Sequence, residues 1–391
     1  MIPFNEAVQI VLDSSRILQA EEVPLLEALG RILFNDVTSD IDIPPFNKSA
    51  MDGYAYKGID SDTPLKLVET IPAGYYPKKT VKRGECSKIM TGGVVPEGAD
   101  TVVMIEHTKC SDEFVTITEK SSKKNICYKA ENVKKGDTVL EKGTLLTPAE
   151  IAMLASVGCD PVSVVRRPVI GIIPTGNELV EPSEIPKQAQ IRNSNGYQLY
   201  HQVLQAGCIP HYCGIIKDTP EALREIIDRE FNNFDIFLFS GGVSMGDYDY
   251  VPDVLKEKGF SLLFQKVAIK PGKPNVFGKK EDTYVFGLPG NPVSTLISFE
   301  LFVKPLCYKL MGNSYKPKIV TGSLKKTMFR KKSNRINHIP VYLDDEGKVS
   351  SLSYKGSGHI HAFCKANGFI TIPIGIKEIK AGELVKVTLI K

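Results

Sequence analysis

The chain has 391 residues, 42% of them hydrophobic and 24% charged, with a net charge of +4. This composition excludes a disordered chain and predicts a globular protein of two or three domains. The mild charge, without a dense run of lysine and arginine, argues against a nucleic-acid binder and suits small anionic ligands. No run approaches the ~18 apolar residues that cross a membrane. Eight cysteines without framework spacing predict reduced thiols and a cytoplasmic protein.

The N-terminal part of the chain is predicted to be helical. Apolar residues at helical spacing predict a first helix near the N-terminus, and residues 24–36 predict a second. Thr147 and Glu150 form a capping-box pattern at the start of a further helix. We therefore expect a helical N-terminal domain made of residues 1–43 and 146–167.

The rest of the chain predicts three further domains. From 44 to 145, short β-like runs alternate with glycine and proline, which is typical of a small inserted β domain. From 168 to 312, buried strands alternate with loops and amphipathic helices, which predicts an open α/β sheet. From 313 to 391 the strands alternate in polarity, and we expect a C-terminal β-barrel-like domain.

Three strands of the α/β region end in glycine loops. Ligands of open parallel sheets bind at the carboxyl ends of the strands, so the loops should meet at one edge and admit a phosphate group. In the third loop, Asn291 can cap the next helix and Pro292 can start it, which predicts free amides for an anion. The loops read "PTGNEL" (174–179), "SGGVSMGDYDY" (240–250) and "LPGNPVS" (288–294).

Acidic and basic residues accompany these loops. Glu178 and Asp249 lie just past strand ends, and Asp218 follows the apolar run "CGIIK". The simplest interpretation is that these acids are solvated carboxylates on the surface. However, acids that converge on a phosphate site typically hold Mg²⁺. Lys270 and Lys273, in "IKPGKP", add two ammonium groups for a phosphate or an oxyanion. Together these residues indicate a metal-assisted attack on a phosphate ester or anhydride.

With these loops, further motifs occur along the chain in a fixed order. The sequence resembles the molybdopterin molybdenumtransferases, the family of MoeA and the gephyrin E domain. The resemblance covers essentially the full chain, and its motif set is highly specific. The motifs beyond the loops are "PPFNKSAMDGYA" (44–55), "MTGGVVPEGADTVVMIE" (90–106), "IRNSNGYQL" (191–199) and "KPGKP" (270–274).

The resemblance implies the same domain organisation and a reaction of molybdenum cofactor biosynthesis. Molybdenum from molybdate enters the dithiolene of adenylylated molybdopterin, and Mg²⁺-dependent cleavage releases AMP. The implied assembly is a homodimer in which the inserted β domain of one chain completes the site of the other. A transient contact with the molybdopterin adenylyltransferase that makes the substrate is a further expectation, without nucleic-acid or membrane partners.

The resemblance also implies roles for individual residues. Glu178, Asp218 and Asp249 would surround Mg²⁺ and the scissile phosphate, and Asn47 would reach the reaction from the partner chain. The implied substrate contacts are Thr91, Gly241, Gly242, Ser244, Lys270, Lys273, Pro289, Asn291, Pro292, Ser294, Arg335 and Ser357.

The chain departs from the family pattern at several positions. Asn47, Asn132 and Asn193 stand where aspartate is usual, and Lys48 replaces a usual asparagine. The run "NICYKAEN" (125–132) replaces an arginine-rich Gly-Glu-Asp segment, and the C-terminal pattern Gly-Arg-x-x-x-x-Arg keeps only Arg335. Asparagine binds Mg²⁺ more weakly than aspartate because it carries no charge.

Three alternatives remain open at the level of sequence. The same reaction with tungstate is one, since molybdate and tungstate have nearly the same size and charge. A weakly catalytic pterin-binding or scaffold paralog is the second, because of the asparagines. An enzyme that adenylylates molybdopterin is the third, although it would be much shorter and would lack the 44–106 motifs.

Overall fold

The computed structural model describes residues 1–120, 122–243, 249–354 and 356–390. By its contacts the chain divides into two compact units, one of Met1–Glu21 with Val164–Lys391 and the other of Glu22–Ser163. The predicted division into four domains is finer than this and stays a prediction. Within the described ranges, no helix has both the length and the apolar character needed to cross a membrane.

The unit Glu22–Ser163 is built around a mostly antiparallel sheet. Its core side chains include Tyr54, Leu65 and Val103. A capping box of Thr147 and Glu150 starts the helix Pro148–Ser156, as predicted. The strands are, in sheet order, Thr101–Met104, Gly53–Tyr56, Glu85–Ile89, Leu65–Ile71, Phe114–Ile117 and Thr108–Ser111, and the smaller pairs are Lys48–Ser49 with Ile126–Cys127 and Val37–Thr38 with Thr138–Leu140.

The helix predicted over residues 24–36 is wrong. Only the short 3-10 turn Leu25–Glu27 forms there. The backbone beyond it pairs across the chain instead, since Leu33 donates its N–H to the Thr144 carbonyl over 2.9 Å and Gly30 donates to Leu146 over 2.9 Å. Hydrogen bonds to distant residues therefore determine the structure of this segment, because a segment this short does not form a stable helix alone.

The other unit contains the predicted open α/β sheet. The first four strands are parallel to one another, and each of the last two pairs antiparallel with the strand before it in the sheet. Phenylalanines such as Phe237 and Phe239 are fully buried between the sheet and its helices. The strands are, in sheet order, Ile209–Tyr212, Val169–Pro174, Ile236–Ser240, Thr283–Leu288, Pro274–Lys280 and Ser261–Lys266. The flanking helices are Asn195–Gln205, Pro220–Glu230, Val251–Glu257, Pro292–Ser298 and Lys304–Leu310, with a π-helical turn over Phe299–Val303.

The same unit holds the N-terminal helix Phe4–Asp13 and a closed C-terminal barrel. The barrel closes because its first strand pairs with both its second and its last. Additional small elements are the pair Met328–Phe329 with Glu378–Ile379 and the helix His361–Lys365. The barrel strands are, in order, Ile336–Leu343, Lys348–Ser351, Ile319–Leu324, Leu384–Leu389 and Gly368–Ile372. The predicted fold class, a multidomain α/β plus β protein, is confirmed.

Candidate functional site

The three glycine loops lie at one edge of the α/β sheet, as predicted. Pro174 pairs with Ser240, and Ser240 pairs with Leu288, so the three parallel strands end in register. A parallel bridge between Thr175 and Ile216 brings the segment that carries Asp218 to the same edge. The sheet topology therefore gathers residues that are more than 100 positions apart in the sequence.

The second loop is where glycine is sterically required. Gly241 has φ +106°, and a Cβ added there would lie 2.4 Å from the Thr175 carbonyl oxygen. Gly242 has φ +60°, and its added Cβ would lie 2.9 Å from Oδ1 of Asp218. The two glycines therefore let the backbone approach its neighbours in a way that no side chain allows. Ser244, predicted to belong to this loop, lies outside the described residues.

Two of the predicted acids act electrostatically on the third, Asp218. Burial, together with the charges of Asp249 and Glu178, raises the pKa of Asp218 to about 6. Oδ1 of Asp218 is buried, and within the described chain no group donates a hydrogen bond to it. A carboxylate with an unpartnered buried oxygen and two acidic neighbours favours a cation.

Mg²⁺ fits this donor set only together with ligands from outside the protein. Within the described ranges, no three His, Cys, Asp or Glu side chains are close enough to hold a metal ion by themselves. Mg²⁺ usually keeps several waters and takes one or two carboxylates plus substrate phosphate oxygens. The unpartnered oxygen of Asp218 is suited to be one of those carboxylate ligands.

A second unpartnered oxygen lies against the same loop. Thr175 is 3% exposed, and its Oγ1 has no hydrogen-bond partner among the described residues. A Cβ on either Gly241 or Gly242 would lie 3.1 Å from this hydroxyl. Thr175 is therefore a polar residue of the site that the sequence did not single out.

The third loop differs from its prediction in two respects. Asn291 makes no side-chain capping hydrogen bond in the described chain. The Val293 amide donates to the Ser357 carbonyl over 3.0 Å, so it is not free for an anion, and Pro292 has no N–H. Pro289 and Ser294 are buried, and Ser294 is only 3% exposed. The prediction of a free helix amide is therefore wrong for Val293, because the Ser357 carbonyl accepts its hydrogen bond.

Two predicted cations line one cavity. Lys270 and Arg335 line a space of about 360 Å³ beside the barrel. The strand Ile269–Lys270 pairs in parallel with Ile336 and Asn337, and the Arg335 guanidinium donates to the Ile269 carbonyl over 3.2 Å. The predicted partner Lys273 is exposed but does not line this cavity, and neither does Ser357.

In the unit Glu22–Ser163, Thr91 has a carboxylate partner that the sequence analysis missed. Oδ1 of Asp52 accepts both the amide of Thr91, over 2.6 Å, and its hydroxyl, over 2.7 Å. These hydrogen bonds lower the pKa of Asp52. Asn47 is exposed, and its Oδ1 accepts the Lys129 amide over 2.8 Å. Asp52 lies in the quoted motif "SAMDGYA", but its bond to Thr91 spans 39 positions and is not visible locally.

Comparison with known proteins places this arrangement among its relatives. Family models described as "MoeA N-terminal region (domain I and II)", "Probable molybdopterin binding domain" and "MoeA C-terminal region (domain IV)" match residues 2–158, 171–309 and 326–390. The chain is 34% identical to the molybdopterin molybdenumtransferase of Bacillus subtilis, over 100% of this chain and 94% of that protein. It is 35% identical to the Staphylococcus epidermidis protein of the same name, over 99% and 95%.

A solved structure agrees with the sequence matches. The crystal structure of the molybdopterin biosynthesis MoeA protein from Pyrococcus horikoshii aligns with a TM-score of 0.87, at 33% identity, over 100% of this chain and 99% of that one. Fold and glycine-loop site define a protein of molybdenum cofactor biosynthesis. The chain belongs to the MoeA family, the molybdopterin molybdenumtransferases.

Proposed function

We propose that the protein inserts molybdenum from molybdate into adenylylated molybdopterin, with Mg²⁺-dependent release of AMP. The observation that carries the proposal is the acidic cluster beside a glycine loop. Asp218, whose pKa is raised by burial and by Asp249 and Glu178, lies against Gly242 at the carboxyl edge of the sheet. An acidic cluster at a bare loop suits a phosphate whose charge is balanced by a divalent cation.

The loop glycines, the acids and the cations have separate tasks in this proposal. The backbone around Gly241 and Gly242 receives the substrate's phosphate, since glycine lets a ligand approach the chain closely. The Gly241 amide itself donates to the Leu288 carbonyl over 3.1 Å. Asp218, with Glu178 or Asp249 and the substrate's own phosphate oxygens, would hold Mg²⁺, which when bound neutralises phosphate charge and activates the anhydride for cleavage. Lys270 and Arg335 hold an oxyanion in the cavity that they line.

A homodimer is part of the proposal. Asn47 and Thr91 are exposed, and Asp52 orients the hydroxyl of Thr91. We infer that this surface of one chain completes the site of a second chain. The support for the dimer is the family resemblance together with this exposed polar surface, which internal packing leaves accessible.

The test is the release of AMP from adenylylated molybdopterin with Mg²⁺, with and without molybdate. Molybdate-stimulated release with molybdenum retained on the pterin is expected. We expect Glu178→Gln to slow release by roughly 100-fold or more while substrate still binds, because a carboxylate that would help to hold Mg²⁺ at the reacting phosphate is lost. The matched control is Glu221→Gln, which removes an exposed carboxylate paired with Arg224 and should leave the rate unchanged.

The same assay separates the remaining alternatives. If tungstate but not molybdate stimulates AMP release, the proposed reaction is supported with tungsten as its metal. Tight pterin binding without AMP release under either oxyanion would contradict the proposal and favour a binding or scaffold role. Mixing Glu178→Gln with Thr91→Ala protein should restore activity if two chains share each site, and no recovery would refute the shared site.

A further inference from the structure

The cavity beside the barrel has more positive charge than the predicted residues account for. Its wall includes Lys270, Arg335, Arg330, Lys331 and Lys332, and it contains no aspartate or glutamate. Because the cavity has a volume of about 360 Å³, its cationic groups surround a space that a small ligand can enter. A concave site of one charge sign concentrates ions of the opposite sign.

The protein does not neutralise this charge itself. Within the described residues, none of the five cations forms an ion pair with a carboxylate. The Arg330 guanidinium instead donates to backbone carbonyls, those of Ile376 and Pro373 among them. Carbonyl groups satisfy its hydrogen bonds but leave its positive charge in place. The charge is therefore available to an anion in the cavity.

The loop that carries Lys331 and Lys332 is fixed at both ends. At one end, the Arg330 amide donates to the Lys377 carbonyl over 3.0 Å, and the Arg330 side chain bonds to further carbonyls. At the other end, the Ser333 carbonyl accepts the Gly375 amide over 2.9 Å. The two lysines thus start from an anchored backbone, which lowers the entropy cost of binding a ligand.

The position where the family pattern has a second arginine adds no charge to this cavity. The family pattern places an arginine five residues after the one that corresponds to Arg335, and here that residue is Pro340. Pro340 is buried in the barrel strand Ile336–Leu343 and offers no charge. Pro340 does not line the cavity, whereas Lys331 and Lys332, from the loop that precedes the strand, do.

We propose that Lys331 and Lys332 are oxyanion-binding residues that act together with Lys270 and Arg335 in this cavity. The inference rests on the proposed function for the identity of the anion, a tetrahedral metal oxyanion such as molybdate. Two ammonium groups act as point charges without the fixed fork of a guanidinium. The site therefore attracts the dianion strongly and imposes little geometric selection between oxyanions of the same shape.

The test measures binding of molybdate alone to the full chain, by calorimetry at low salt. Lys331→Gln and Lys332→Gln should each weaken binding roughly tenfold, the effect of losing one charged hydrogen bond, and the double variant should weaken it more. The matched control is the double variant Lys326→Gln with Lys386→Gln. Both control lysines are exposed on the C-terminal part of the chain, outside the cavity, and their loss removes the same net charge.

A second readout distinguishes this inference from the proposed function. In the AMP-release assay, the Lys331→Gln and Lys332→Gln double variant should raise the KM for molybdate and leave kcat at saturating molybdate and the affinity for the pterin unchanged. If the protein binds molybdate through these lysines but releases no AMP, the role of the lysines is supported and the proposed reaction is contradicted. If AMP is released and the double variant matches its control in both Kd and KM, the inference is overturned and the reaction stands.

Discussion

At the scale of single residues, the hydrogen bonds of Asn193 explain why asparagine stands at this position, where aspartate is usual in the family. The side chain is 1% exposed and uses both ends of its amide. Its Oδ1 accepts the Gly196 amide over 2.9 Å, and its Nδ2 donates to the Tyr212 hydroxyl over 2.8 Å. That hydroxyl in turn donates to Glu181 over 2.6 Å. Asparagine is therefore required here by its amide hydrogens, and the substitution is structural.

Asn193→Asp should consequently destabilise the protein, although aspartate is usual in the family. A buried carboxylate would compete with Glu181 for the single proton of Tyr212, so one acceptor would lose its partner. We expect the free energy of unfolding to fall by about 1–3 kcal/mol. Thermal or urea unfolding measures it. Asn132→Asp, at an exposed position, should have little effect, and an equal loss in both variants would contradict this role for Asn193.

The residues of the site were predictable to different degrees. Glu178, Asp218 and Asp249 could be found because acids just past apolar strands are visible in the sequence. Asp52 could not, since its importance depends on a hydrogen bond to Thr91, which is distant in the chain. Lys331 and Lys332 were also missed, because a pair of lysines in a loop looks like an ordinary solvated surface until a cavity is seen beside it.

At the scale of elements, the loop after the strand Ile236–Ser240 combines positive φ with close packing. An alanine at 241 would both adopt φ +106° and place its Cβ 2.4 Å from the Thr175 carbonyl oxygen. Gly74 offers a comparison, because it has φ +83° but nothing within 4 Å of an added Cβ. The two positions therefore separate backbone strain from steric collision.

We expect Gly241→Ala to lower the free energy of unfolding more than Gly74→Ala does. Backbone strain alone costs about 1–3 kcal/mol at either position. The collision adds to it at 241, because the backbone of Thr175 must move. Chemical denaturation of both variants measures the difference. Equal losses would mean that the loop adjusts freely and that its close packing has no energetic consequence.

The elements themselves were predicted where the sequence pattern was long or regular. Buried parallel strands and the capping box of Thr147 and Glu150 were correct, because both depend on local chemistry. The helix over 24–36 was wrong because its backbone pairs with residues 144–146. The free amides near Asn291 were wrong because the Ser357 carbonyl, distant in sequence, covers one of them. Both errors came from contacts that no local pattern encodes.

At the scale of the whole molecule, His338 links the N-terminal helix to the barrel within one compact unit. It lies in the barrel strand Ile336–Leu343, it is 1% exposed, and its ring centroid is 5.9 Å from Phe4 in the N-terminal helix and 5.5 Å from Phe369. Burial lowers the pKa of His338 to about 4. The neutral ring is therefore part of the packed core at neutral pH.

This histidine should make stability depend on pH in a predictable direction. The unfolded chain protonates near pH 6.5 and the folded chain near 4, so protons favour unfolding between these values. The free energy of unfolding should fall by up to about 3 kcal/mol as the pH drops from 6.5 to 4. His338→Phe should remove this contribution, whereas His201→Phe, at an exposed site, should not. Melting temperatures across this range measure it, and identical pH slopes for the two variants would refute it.

Domain organisation was the largest-scale prediction. A β segment, an α/β region and a C-terminal β segment follow from changes in the period of apolar residues, and the structure has a sheet in each of them. The exact division into four domains stays a prediction. The order of the sheet and the closure of the barrel do not follow from periodicity, because pairing partners are chosen by packing between distant strands. The strand ends lie side by side and so create the site. This could be predicted only from the general rule that ligands of parallel sheets bind at the carboxyl ends of the strands.

The pairing of Ile269–Lys270 with Ile336 and Asn337 has a consequence for exchanging parts between relatives. The oxyanion cavity takes Lys270 from the sequence before the barrel and its other cations from the barrel itself. A chimera joined near residue 312 would therefore assemble this cavity from two parents. The affinity of the chimera for an oxyanion would therefore match that of neither parent protein. To transfer this affinity, the whole cavity rather than one domain would have to be exchanged.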